Sequence, residues 1–166
     1  YPIVYNLNGG TNNAANPATY TIYDEIALAV PTRVGYTFAG WSDGGRIASG
    51  SVGKQTFSAS WTINIYSITY DHDGGTNAAN APASYTVEDN VALPTPTKEG
   101  LYFAGWYDDA DKRVSSIPAG TTGDITLTAI WTPFEPLVYY SMDGWGSTTT
   151  GDIAIHYAEN NTINGY

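Results

Sequence analysis

The sequence predicts a mainly β protein. It reads as two tandem small modules of about four strands each, followed by a C-terminal β-rich extension that resembles half of a third module. Three observations carry this expectation. The chain repeats itself at a fixed offset, its apolar stretches alternate at period two between Gly- and Pro-rich turns, and no segment sustains a helical period.

The repeat comes first. Tyr5-Asn-Leu-Asn-Gly-Gly-Thr-Asn12 returns as Tyr70-Asp-His-Asp-Gly-Gly-Thr-Asn77, an offset of 65 residues. Tyr5–Trp41 aligns with Tyr70–Trp106 without a gap, with 20 identities in 37 columns. Beyond it Trp61 matches Trp131 at an offset of 70, so the second module holds five more residues between its two Trp. The expected boundaries are 1–61, 62–131 and 132–166. A unit of ~60 residues just holds its own core. In the last stretch Tyr140-Ser-Met-Asp-Gly144 echoes Tyr70–Gly74, and Asp152–Tyr157 falls where a second strand is expected.

Within each module the first strand ends at Asn8-Gly9-Gly10 or Asp73-Gly74-Gly75, because Asn-Gly and Asp-Gly supply the positive φ of a tight turn. A second strand is expected over Thr19–Leu28 or Ser84–Leu93, and a Pro-Thr-Arg/Lys-x-Gly loop follows. The third strand holds Phe38-Ala-Gly-Trp41 or Phe103-Ala-Gly-Trp106. The fourth is Thr56–Trp61 or Ile125–Trp131. Phe57, Ala59, Trp61, Ile63 and Ile65 share one face and Ile68 and Tyr70 the other parity, which places a bend or bulge near Tyr66 and a short linker. Any helix is a single short piece near a Pro loop.

These motifs resemble the Listeria–Bacteroides repeat family, the internalin B-repeats. YNLNGGTN, NPATYTI, PTRVGYTFAGW and FSASW carry the likeness in the first module. YDHDGGTN, PTKEGLYFAGW and LTAIW carry it in the second, so that it covers residues 1–131. The resemblance implies β-grasp-like modules strung along bacterial surface or secreted proteins, a stalk, spacer or adhesive role, and no catalytic residues to transfer. The tail departs from the pattern and inherits nothing.

Composition narrows the function. Acidic residues outnumber basic ones 16 to 6, for a net charge of −10. Phosphate binding needs Lys and Arg to displace counterions, so no nucleic-acid partner is expected. The charge is unequal: by residue count the first module is neutral, the second −6 and the tail −4. There is no Cys, which excludes disulfides and thiolate chemistry. No apolar run reaches the ~20 residues of a membrane helix, so no span is expected in this chain. Its opening strand, Tyr1–Leu7, reads as that of a mature form or a fragment.

No catalytic motif is present, and an enzyme is not expected. No cofactor is implied. Asp108, Asp109 and Asp111 are the candidate Ca²⁺ cluster, set against the reading of solvated turn carboxylates, since the Glu-terminated Ca²⁺-loop ladder is missing. Asp71 and Asp73 have Asn6 and Asn8 in their place in the first module. His72 stands where the first module has Leu7 and reads as a half-buried strand residue. Trp41, Trp61, Trp106 and Trp131 recur at matched positions and are expected in the cores. Trp145 has no counterpart and is the candidate exposed contact. Asn160-Asn-Thr162 is the only N-x-S/T sequon, a glycosylation candidate.

Half a module would leave an unpaired edge, with Ile153, Ile155 and Tyr157 on its apolar face. The expectation is head-to-tail self-association by strand addition, the tail of one chain pairing with the N-terminal strand of the next. The functional expectation is therefore a non-catalytic, extracellular structural module of a bacterial cell-surface protein, stalk or filament. The alternative is an adhesin module that binds a host protein or glycan.

Overall fold

The structure, a computed structural model, describes residues 1–134 and two further strands at 138–140 and 155–157. The first module contains β1 (Ile3–Asn6), β2 (Ile26–Ala27), β3 (Tyr36–Trp41), β4 (Arg46–Ile47) and β5 (Gln55–Ile63). The second contains β6 (Tyr66–Asp71), β7 (Ser84–Tyr85), β8 (Val91–Ala92), β9 (Leu101–Tyr107), β10 (Arg113–Val114), β11 (Ser116–Ile117) and β12 (Ile125–Pro133). Only Asn64 and Ile65 separate β5 from β6, next to the expected bend. In the tail β13 (Val138–Tyr140) pairs antiparallel with β14 (Ile155–Tyr157).

Each module folds around its last strand. β5 is central between β1 and β3, and β12 is central in the order β10-β9-β12-β6-β7. First and last strands run parallel, with Ile3 opposite Gln55 and Ile68 opposite Ile125. The third strand pairs antiparallel on the other side. This mixed sheet is β-grasp-like. Parallel neighbours need a long crossover, and here the body of the module supplies it, forming a second small sheet, β2 with β4 or β8 with β11.

The second strand is not the continuous one expected. Thr19 bridges Pro2, then the chain turns and resumes only at β2. The cause is local. The Asp24 carboxylate accepts bonds from the Thr21 amide and hydroxyl, at 2.6 and 3.0 Å, and curls the chain out of the sheet. Asp89 does the same to Thr86 at 2.7 and 2.8 Å. The single helical piece among the described residues, the 3-10 turn Ser42–Gly45, follows Trp41 rather than a Pro loop.

The Phe-Ala-Gly-Trp motif is a β-bulge. Phe38 pairs with Trp61 and Gly40 with Ser60, leaving Ala39 as the extra residue. Phe103 and Gly105 repeat this around Ala104. In an unbroken strand, residues three apart face opposite sides. One bulge residue restores the parity. Phe38 then meets Trp41 and Trp61, each at 5.5 Å between centroids, and Phe103 meets Trp106 and Trp131 at 5.3 and 5.6 Å.

Two separate cores result. Ile3, Tyr20, Ile47 and Phe57 form the first, with Tyr5, Leu28 and Trp41 against it. Ile68, Tyr85, Ile117 and Leu127 occupy the same places in the second, joined by Trp106. Trp106 is buried in its core and Trp41 and Trp131 pack against theirs, while Trp61 is half-buried outside the core cluster and meets Phe38. Each indole N–H of the four donates to a carbonyl at an equivalent position. Trp61 and Trp131 bond Leu7 and His72 at 2.9 and 3.0 Å, while Trp41 and Trp106 bond Ala29 and Pro94 at 3.3 and 2.7 Å.

Candidate functional site

The predicted site residues scatter. Asp108, Asp109 and Asp111 lie in the β9–β10 hairpin turn. Asp108 accepts the amides of Ala110 and Lys112 at 3.0 and 2.9 Å, and Asp111 holds a positive φ of 57°. Among the described residues, no group of three or more His, Asp or Glu could hold a metal ion. Trp145, Ile153 and Asn160 lie outside the described residues, as do the side chains of Ile155 and Tyr157.

The first residues of the N-terminal strand are paired with residues 18–20. Ile3 N–H donates to Ala18 at 2.9 Å, the Tyr1 carbonyl accepts from Tyr20 at 2.8 Å, and the terminal ammonium binds the Tyr20 carbonyl at 2.6 Å. Residues 18–20 already line that side, as β7 lines β6 in the second module.

His72 is half-buried, as expected, between Tyr70 and Trp106, at 6.2 and 6.0 Å between rings. Among the described residues, the Tyr70 hydroxyl and His72 Nε2 are buried without a partner. In the first module the matching Tyr5 hydroxyl donates to the Pro17 carbonyl at 2.7 Å. Burial raises the pKa of both phenols. Two open hollows on the second module, about 250 and 220 Å³, flank Arg113 and Val114. Among the described residues, the first is lined by one carboxylate, Asp108, and the second by none.

The feature that the motifs do assemble is a joint between the modules. The Arg33-Val-Gly-Tyr36 turn, closed by Tyr36 N–H to the Arg33 carbonyl at 3.2 Å, meets the Thr86-Val-Glu-Asp89 turn. Gly35 is buried there with φ +76°, and a Cβ on it would lie 2.5 Å from Val87 Cγ1. The Tyr36 hydroxyl donates to Glu88 Oε1, and that carboxylate raises the Tyr36 pKa. The Arg33 guanidinium sits 3.6 Å from the centre of the Tyr36 ring. Asn64 N–H bonds the Gly35 carbonyl at 3.0 Å, so the linker starts from the same turn. Sequence reasoning missed this joint. The available signal was that Thr-x-x-Asp recurs at the 65-residue offset inside what reads as a strand.

Comparison with known proteins places these motifs. The sequence model of the Listeria-Bacteroides repeat domain matches residues 1–64 and again 66–130. Internalin H of Listeria monocytogenes is 34% identical over 146 residues, 80% of this chain and 25% of that protein. A chain of Evansella cellulosilytica named as a Gly-rich membrane protein is 36% identical over 109 residues, 56% of this chain and 12% of its own length. Another from that organism, named as a membrane protein, is 26% identical over 157 residues, 87% of this chain and 23% of its own length. The chain thus spans a quarter or less of these curated relatives. No solved structure matches it significantly.

Proposed function

Because the chain belongs to the Listeria–Bacteroides repeat family, we propose that it is a non-catalytic spacer segment of a bacterial surface protein, holding other parts of that protein at a fixed separation and orientation. The observation that carries this reading is the joint. Each module has its own core, and two linker residues join them with turn packed on turn. A spacer needs such a contact, since a chain of independent beads swings freely at its linkers. The relatives named as membrane proteins, and Internalin H, support a place at the cell surface.

Small-angle scattering of the purified chain tests the proposal. The expected profile fits one fixed arrangement of the two modules at low and high salt alike. A profile that requires an ensemble of arrangements contradicts the spacer reading. Saturable binding of a glycan or a host protein by the monomer replaces it with adhesion.

A further inference from the structure

Asn8-Gly9 is the one Asn-Gly pair among the described residues. Glycine carries no Cβ, so its backbone nitrogen can approach the side-chain carbonyl of the residue before it with little steric hindrance. That nitrogen can attack Asn8 Cγ. The new N–Cγ bond closes a succinimide ring, the Cγ–Nδ2 bond breaks, and the amide nitrogen leaves as ammonia with the proton of the Gly9 N–H. Water then opens the ring. Cleavage of the bond just made leaves aspartate; cleavage of the original peptide bond leaves isoaspartate. Water is the sole co-reactant.

The turn presents these atoms to solvent. Among the described residues Asn8 and Gly9 are exposed, with φ 48° and 87°. Gly10 N–H closes the turn on the Leu7 carbonyl at 3.0 Å, so the Gly9 N–H is not the donor that closes it. The Asn8 side chain is held by Nδ2 donating to the Ala59 carbonyl at 2.8 Å. Loss of the amide removes that donor, because a carboxylate only accepts.

The second module shows where a carboxylate goes at this position. Asp73 stands in place of Asn8, with φ 45°. Its Oδ2 lies 3.3 Å from Lys98 Nζ, which also donates to the Asp73 carbonyl. Arg33 stands in place of Lys98 and lies over the same turn. A Cβ on Gly9 would be 3.3 Å from Arg33 Cζ, as one on Gly74 would be 3.7 Å from Lys98 Nζ. The first module thus keeps the cation and has an amide where the second has the carboxylate.

We propose that Asn8 is a self-modification site, where deamidation through the Gly9 nitrogen creates an aspartate that leaves the Ala59 carbonyl and pairs with Arg33 as Asp73 pairs with Lys98. The inference goes beyond the spacer reading and does not depend on it. The new pair is exposed, so salt screens it.

Peptide mapping by mass spectrometry of the folded full chain, aged in mildly alkaline buffer, is the test. The Asn8 peptide is expected to gain about 1 Da and to divide into aspartyl and isoaspartyl forms. Asn13, Asn77 and Asn80, each followed by Ala, should keep their mass over the same time. An Asn8 peptide that keeps its mass, or gains it no faster than the Asn-Ala sites, overturns the proposal. Asn8→Asp supplies the product directly. A double-mutant cycle of Asn8→Asp with Arg33→Gln, followed by chemical denaturation, should show a favourable coupling at low salt that fades at high salt. Should Arg33→Gln not fold, the salt dependence of Asn8→Asp alone serves: its stability relative to wild type should fall as salt is added. Absence of coupling, or a stability difference indifferent to salt, overturns the pairing with Arg33 and with it the proposal.

Discussion

Tyr5 and Tyr70 occupy the same place in the two modules and differ in one hydrogen bond. Tyr5 donates to Pro17; among the described residues the Tyr70 hydroxyl is buried with no partner, beside the equally orphaned Nε2 of His72. A made hydrogen bond contributes about 1 kcal/mol, and an unmade buried one costs about 1–3 kcal/mol. Tyr5→Phe is therefore expected to destabilise the first module by about 1 kcal/mol, while Tyr70→Phe leaves the second unchanged or stabler. Restoring the first module's Leu through His72→Leu should raise the second module's stability by about 1 kcal/mol or more. Chemical denaturation with the two transitions assigned checks all three. The paired glycines divide their work in the same local way. Gly9 and Gly74 supply positive φ, at 87° and 78°, after Asn8 and Asp73 at 48° and 45°. Gly10 and Gly75 make room for Trp: a Cβ on Gly75 would lie 2.5 Å from Trp131 Cζ2. The first role is readable from the Asn-Gly and Asp-Gly pairs. The second is not, because the ring arrives from the far end of the module.

At the scale of elements, the bulge and the Thr-x-x-Asp turn are the two devices. Deleting Ala39 or Ala104 would return Phe and Trp to opposite faces. The affected module is expected to lose its cooperative transition, whereas Ala39→Ser and Ala104→Ser retain it. The turn brings a pH dependence. Hydrogen bonds from the Thr86 hydroxyl and amide hold the Asp89 carboxyl below its ordinary range, and the Ser67 N–H does the same to Asp124, at 2.7 Å. A depressed folded-state pKa means that the unfolded chain binds the proton more readily. The stabilisation is then complete above about pH 4 and disappears as pH falls through the folded-state values. Melting temperature should thus drop from pH 5 toward pH 2, and Asp89→Asn should flatten part of that drop. The sequence made the first, third and last strands legible through their alternation and their Trp. It concealed the interruption of the second, because Thr-Tyr-Thr-Ile-Tyr and Ser-Tyr-Thr-Val have the composition of strands. Only the Asp three residues after the Thr breaks them.

For the whole molecule, the repeat was legible because each module buries the same set of side chains, from Ile3, Tyr20 and Phe57 to Ile68, Tyr85 and Leu127. The parallel pairing of first and last strands was not, since nothing in either strand names a partner some 50 residues away. The joint was hidden for a related reason: Gly35 and Gly100 look alike in sequence, and among the described residues only a Cβ on Gly35 would meet a neighbour. That contrast provides its own control. Ala at either position meets the left-handed backbone cost of about 1–2 kcal/mol, but only Gly35→Ala also collides with Val87. The central claim is that the two modules are docked in one arrangement. The chain has no Cys, so two spin labels at Ala48→Cys and Ala110→Cys, exposed positions in separate modules, report the distance between them directly. The account predicts a single narrow distance distribution that broadens in Gly35→Ala and stays narrow in Gly100→Ala. A broad distribution in the wild-type background, or one indifferent to Gly35→Ala, would contradict it.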